Sequence, residues 1–368
     1  MKIKHIYIPI LIGSMIGVLL ALGEVDLEAG FEGYGLDVVP LYSTIVVAFL
    51  FGIYLSITIH ELGHLIAGIA VGLEPLAVMI ASCTFNFKKD SWVPSFQWRK
   101  GFGGGLTICT PKGKCMSKMQ SFLYILGGPA GSFLLGGAAL WLGARTHGVI
   151  ALGADCIGIL SMLVGGYSLF PFTISGLQTD GVRILWILRG GRGFQEMMAH
   201  FILFGQLMVD DTPENSSDAL IDILLGAKKF SPEWRVGHNF AYMKNLYLQD
   251  FDQAESHLEA MCAESEDVVA VLREPYLRLR IGFHAIYRGD FTKIPQLKDL
   301  DPGLITIEAD VFFEEALLAI YEEDFALATR KLDLAESRIP SMRYRQVIPL
   351  MHQHLLFLRE CIGSRSGV

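Results

Sequence analysis

The hydrophobic pattern divides the chain near residue 210. Before it, apolar residues form long unbroken runs; after it, they recur at helical spacing among charged residues. The first run, Ile6–Gly23, follows Lys2 and Lys4. Ala21-Leu22-Gly23 would suit cleavage of a leader, but the length of the run and the spans behind it predict a retained membrane helix. Residues 24–39 carry Glu24, Asp26, Glu28, Glu32 and Asp37 with no Lys or Arg, the pattern of an external loop. A second run, from about Leu41 to Gly72, exceeds the ~20 residues that cross a bilayer and so predicts a tilted or broken span. Third and fourth runs, Ser121–Gly143 and Gly148–Phe170, are separated only by Ala144-Arg145-Thr146-His147.

Between the second and third runs, residues 85–120 hold Lys88, Lys89, Arg99, Lys100, Lys112, Lys114 and Lys118 against the single acid Asp90. An excess of basic residues marks the cytoplasmic side, so this loop is expected inside. Within it, Thr84–Phe87 and Leu106–Cys109 suggest short strands around the Gly103-Gly104-Gly105 turn. Four crossings that start inside return the chain to the cytoplasm, in agreement with Arg183, Arg189 and Arg192. Met197–Val209 is too short to cross and is expected at the interface or packed on the bundle.

Beyond Asp210 the pattern is amphipathic, and it repeats. Tyr247-Leu248-Gln249-Asp250-Phe251 recurs as Tyr287-Arg288-Gly289-Asp290-Phe291 and as Tyr321-Glu322-Glu323-Asp324-Phe325, at offsets of 40 and 34 residues. Offsets of that size mark stacked helical hairpins, with the Tyr-x-x-Asp-Phe element as the turn between paired helices. The segment resembles a degenerate tetratricopeptide array that lacks the Trp-Leu-Gly portion of the pattern. The expected fold is therefore mainly α. A polytopic helical membrane domain over residues 1–209, with a small β element in its cytoplasmic loop, precedes an all-α helical-repeat domain over residues 210–368.

Composition sharpens that division. Only 18% of residues are charged and the mean hydropathy is +0.42. Residues 1–209 carry 13 Lys and Arg against 11 Asp and Glu, whereas residues 210–368 carry 17 against 27. So acidic a second part argues against nucleic acid as a partner, which would call for a basic face. The six cysteines are scattered with no Cys-x-x-Cys pair, which predicts unpaired thiols.

The candidate chemistry lies inside the second apolar run, at His60-Glu61-Leu62-Gly63-His64. On a helix, residues four apart share a face, so two neutral imidazoles can hold one Zn²⁺ while Glu61 takes a proton from water beside it. Three ionisable groups in hydrocarbon are costly unless something holds them there. A catalytic zinc site commonly has a third protein ligand. Two carboxylates compete for that place: Asp155 within the fourth apolar run, and Asp180 in the Pro- and Gly-broken stretch after it.

With those motifs in view, the chain resembles the site-2 protease family of intramembrane zinc metalloproteases. His60-Glu61-Leu62-Gly63-His64 matches the family's first motif, Asp180-Gly181 its Asp-Gly motif, and Gly127-Gly128-Pro129-Ala130-Gly131-Ser132 its intervening Gly-Pro motif. The likeness covers roughly residues 40–190. It implies zinc on His60, His64 and Asp180, with Glu61 as the general base. Ser168, three residues before Pro171, stands where the family usually has an Asn that steadies the substrate, and Ser132 replaces an Asn common in the Gly-Pro motif.

The function expected is hydrolysis of peptide bonds in membrane-bound proteins or signal peptides, within or beside a transmembrane segment, by a multi-pass protein of a bacterial cytoplasmic membrane. The protein would lie in a lipid bilayer with both termini cytoplasmic. Ser168, Gly104 and Ile108 are the expected substrate contacts, the last two through a strand edge that pairs with an extended peptide. The repeat domain would bind a protein partner or substrate tail. Two rivals remain: a catalytically silent scaffold of the same fold, and a transporter using His60, His64 and Asp155.

Overall fold

A computed structural model describes residue 34 and residues 38–80, 83–88, 91–98, 104–111, 116–174, 177–208, 212–263, 270–300, 308–339 and 348–366. The expected first span, Ile6–Gly23, lies outside the described residues. The chain forms two compact units, Met1–Arg189 and Gly190–Val368.

In the first unit, α1 (Val38–Ala70), α2 (Lys118–Gly143) and α3 (Gly148–Leu169) pack on one another. Each contains a stretch long and apolar enough to cross a membrane. Large apolar side chains such as Val47, Leu134, Ile150 and Leu163 are exposed along them, a surface suited to lipid rather than water. Ser117 and Gln120 form a capping box that starts α2, and the Gln120 amide also donates to the Val71 carbonyl at 2.9 Å. The start of α2 is thereby tied to the end of α1.

The sequence allows α1 and α2 to approach closely because glycines face each other. A Cβ on Gly63 would lie 2.2 Å from the Gly127 carbonyl oxygen, and one on Gly131 would lie 2.8 Å from that of Ile59. Across α1 and α3, the buried hydroxyls of Ser56 and Ser161 bond at 2.7 Å.

After α1, Gly72 turns the chain at φ +84 into β1 (Leu73–Ile80), followed by β2 (Cys83–Lys88), β3 (Ser91–Trp98) and β4 (Gly105–Pro111). These form an antiparallel sheet of order β3-β2-β1-β4. The expected strand pieces are present in β2 and β4, but they do not pair with each other. β1 lies between them, with Ala77 opposite both Asn86 and Ile108. The Leu76–Ile80 run is buried, and its unbroken apolar character suits a central strand covered on both faces. The β1–β4 register shifts between Pro75 and Ala77, where proline has no N–H for the ladder.

Past α3, a two-stranded hairpin of β5 (Thr173–Ile174) and β6 (Leu177–Gln178) leads into α4 (Asp180–Arg189). The Thr179 hydroxyl donates to the Phe170 carbonyl at 2.7 Å and closes this connection. A Cβ on Gly181 would lie 2.0 Å from the Leu169 carbonyl oxygen, so glycine is required where α4 begins against the end of α3.

The second unit is helical: α5 (Gly191–Met208), α6 (Asp218–Leu225), α7 (Pro232–Tyr247), α8 (Phe251–Cys262), α9 (Ala270–Tyr287), α10 (Glu308–Tyr321), α11 (Phe325–Arg338) and α12 (Ile348–Ser366). Met197, Met198, Ala199 and Leu203 of α5 are buried, and Leu203 packs with Leu224 of α6 and Phe240 of α7. A larger core gathers Ile281, Leu317, Ile320, Leu332 and Leu355.

All three Tyr-x-x-Asp-Phe elements are turns with a left-handed third residue, Gln249, Gly289 or Glu323. In the first and third, the Asp amide bonds back to Asn245 or Ala319 at 2.9 Å, and its carboxylate caps the next helix. The second leads instead into a short 3₁₀ helix, Ile294–Asp299, where Pro295 disfavours the α conformation at the preceding residue.

Candidate metal centre

His60 and His64 lie one turn apart on α1, and both are buried. Each ring is oriented by a group on α2. The Nδ1 of His60 is 3.0 Å from the Ser132 hydroxyl, and the Nδ1 of His64 is 3.0 Å from the Tyr124 carbonyl oxygen. Two groups of α2 meet the His64 Nδ1: the Tyr124 carbonyl, which only accepts, and the Gly128 N–H at 3.3 Å. The shorter carbonyl contact favours a hydrogen on Nδ1, with Nε2 facing inward. There, the Nε2 atoms of His60 and His64 lie 3.1 and 3.4 Å from the same oxygen, Oδ2 of Asp180.

Asp180 is buried at the first turn of α4. Burial alone would raise its carboxyl pKa, but the two imidazoles outweigh burial and hold the group below the usual carboxylate range. A His64 with its only hydrogen on Nδ1 would aim a bare lone pair at that carboxylate oxygen, a contact that either a proton on Nε2 or a metal ion between the two relieves. Ligand bonds of about 2.0–2.1 Å in tetrahedral geometry put ligand atoms ~3.3 Å apart, close to the spacing found. These three residues could hold a metal ion.

Small residues on α2 make the cluster possible. A Cβ on Gly128 would fall 2.3 Å from the His64 Nε2, inside the ring's own contact radius. Ser132, at full burial, takes the place beside His60 where a larger Asn would have to fit. Glu61 is also buried, and one carboxylate oxygen accepts a 2.7 Å hydrogen bond from the Thr107 hydroxyl of β4.

The other candidates are dispersed. Asp155 accepts a 2.6 Å hydrogen bond from the Tyr34 hydroxyl and packs on Gly143. Gly143 lies eleven residues along α2 from Ser132, or ~16 Å at the helical rise. Asp155 is therefore not brought to the histidines. The Ser168 hydroxyl donates to the Gly165 carbonyl of its own helix at 3.0 Å. Gly104 directly precedes β4, and the buried Ile108 sits opposite Ala77. Side chains alternate along a strand, so Ile108 points away from the face on which Thr107 meets Glu61. Thr107 and Tyr124 are the contributors that the motifs did not reveal, because their contacts depend on a strand register and a helix crossing.

Among the described residues, Cys83, Cys109, Cys156, Cys262 and Cys361 form no disulfide. No protein-family model, curated protein or solved structure matches the chain.

Proposed function

We propose that the chain is a membrane-embedded zinc peptidase that hydrolyses peptide bonds within or next to a transmembrane segment of its substrate. The observation that carries this reading is the convergence of both imidazole Nε2 atoms on Asp180 Oδ2, at 3.1 and 3.4 Å, next to the buried carboxylate of Glu61. His60, His64 and Asp180 would hold the ion. Zinc bound there supplies Lewis acidity to the scissile carbonyl and to water. Glu61 takes the proton of the attacking water as oxygen adds to the carbonyl carbon. The same carboxylic acid then gives that proton to the amine as the C–N bond breaks.

Ser132 and the Tyr124 carbonyl keep each Nδ1 engaged, so both Nε2 atoms stay available on one side. β4 is an edge strand of the sheet among the described residues, and an extended peptide pairing along it would pass the face that carries Thr107. The basic loop over residues 85–120, and Arg183, Arg189 and Arg192 after the last span, favour a cytoplasmic position for that loop and for the chain that follows α3. The tetratricopeptide-like unit would recognise a substrate tail or protein partner.

A decisive experiment measures zinc per chain in the purified protein and in His64→Ala and Asp180→Ala, together with cleavage of co-expressed membrane substrates by Glu61→Gln. The reading requires about one zinc per chain, lost in both ligand variants, and cleavage that stops in Glu61→Gln with zinc retained. Zinc-free wild-type protein would refute it. A second reading, a non-catalytic membrane scaffold, is favoured by Ser168 turning its hydroxyl to its own helix. It requires zinc binding with no difference between wild type and Glu61→Gln.

A further inference from the structure

Glu61 is a flexible side chain, and a general base works only if one oxygen is presented to the water it deprotonates. The residues that restrain it come from the sheet and not from the helix that carries it. The Thr107 hydroxyl lies 2.7 Å from Glu61 Oε2 and 3.0 Å from the Glu61 backbone oxygen. Gly105, two residues earlier on the same face of β4, covers the other oxygen: a Cβ there would fall 2.2 Å from Oε1 and 2.6 Å from Cδ. The carboxylate is thus clasped between a hydroxyl and a bare backbone.

The clasp is fixed in turn to the metal-binding helices. The Tyr124 phenol donates to the Thr107 carbonyl at 2.6 Å, while the Tyr124 carbonyl holds Nδ1 of His64 at 3.0 Å. One residue of α2 therefore registers both a metal-binding imidazole and the strand that grips Glu61. A change in the position of β4 would shift Glu61 without necessarily moving His60, His64 or Asp180.

We propose that Thr107 is a positioning residue for the general base, setting the Glu61 carboxylate from strand β4, with Gly105 as the close-packed wall opposite it. This rests on the peptidase reading above. It differs from a purely structural role for Thr107 because it predicts loss of turnover with the metal and substrate affinity intact.

The test compares Thr107→Val, Thr107→Ser and Gly105→Ala in the full-length protein. It uses a panel of quenched-fluorescence transmembrane peptides containing helix-breaking residues. Thr107→Val should keep about one zinc per chain and its KM while kcat falls about ten- to a hundredfold, and Thr107→Ser should recover most of that loss. Gly105→Ala should lower kcat with the metal retained. A second readout is independent of activity: melting of the metal-free protein. There, Thr107→Val should lower Tm by about 2–4 °C in the wild-type background and add nothing in Glu61→Ala. Unchanged kcat, a serine variant as slow as the valine one, or additive melting shifts would each overturn the proposal. A wild-type chain that binds no zinc and cuts nothing would sink the peptidase reading, yet the melting cycle would still decide whether Thr107 holds Glu61.

Discussion

Gly128 offers a sharp test of whether the imidazole pair holds an ion. Replacing it with alanine puts a methyl 2.3 Å from Nε2, 2.6 Å from Cε1 and 2.7 Å from Cδ2 of His64, where ordinary contact begins near 3.4 Å. The ring must retreat by about 1 Å, well beyond the ±0.2 Å within which a metal–ligand bond tolerates displacement. Structural zinc sites with four ligands bind with about 10–16 kcal/mol, so one lost ligand costs roughly 3 kcal/mol, or ~100-fold in Kd. Competition of the purified protein with a chelating dye measures that change. Gly153→Ala, where a Cβ meets nothing within 4 Å, is the control and should bind as wild type. In contrast, Gly127→Ala meets the Gly63 backbone oxygen at 2.4 Å and should spread the helices, lowering Tm as well as metal affinity. A folded Gly128→Ala protein with undiminished zinc affinity would show that His64 does not ligate from this position.

Ser132→Ala removes the group facing Nδ1 of His60 and should weaken zinc about ten- to a hundredfold with the fold retained, measured by the same competition. Burial pushes the Cys109 thiol up to about 12, so it should resist maleimide at pH 8 in the native protein and react after denaturation; prompt native labelling would contradict its placement. In the second unit, burial lowers the His354 pKa to about 4, and its Nε2 lies 2.6 Å from the Tyr287 hydroxyl. Above pH 6.5 the ring is neutral in both folded and unfolded chains. Between pH 6.5 and about 4 only the unfolded chain takes up the proton, so stability falls as pH drops, by up to about 3 kcal/mol. His238 and His257, also lowered by burial, titrate in the same direction, so the measurement is the difference between wild type and His354→Leu in denaturant titrations across that range. An identical pH dependence in the two proteins would contradict it.

What the sequence made legible follows from the physics of each feature. Long apolar runs and the helical spacing of His60 and His64 are local, so both the three candidate spans and the shared imidazole face could be read directly. The Tyr-x-x-Asp-Phe turns were legible for a related reason: an Asp that caps the next helix and a left-handed residue before it are short-range requirements. The exception is Phe291, where Pro295 lies too close downstream for an α-helix to start. The choice between Asp155 and Asp180 was not local. Residues alone left it open, because it depends on which end of α3 approaches the C-terminal third of α1, where the histidines lie.

The strand that meets Glu61 shows where such reading stops. Leu106–Cys109 has the composition of a strand, but its partner β1 belongs to an apolar stretch whose lack of alternation hides it. A shift of one residue in the β1–β4 register would exchange Thr107 for Leu106 or Ile108 at the Glu61 carboxylate, replacing a donor with a hydrocarbon. The bulge at Pro75 and the Tyr124 bond to the Thr107 carbonyl hold that register against slippage. The chemistry assigned to Glu61 thus depends on a proline and a tyrosine that no metal-binding motif contains. Motif spacing singles out the two imidazoles, whereas the environment of the Glu61 carboxylate is settled only by how the sheet docks on the helices.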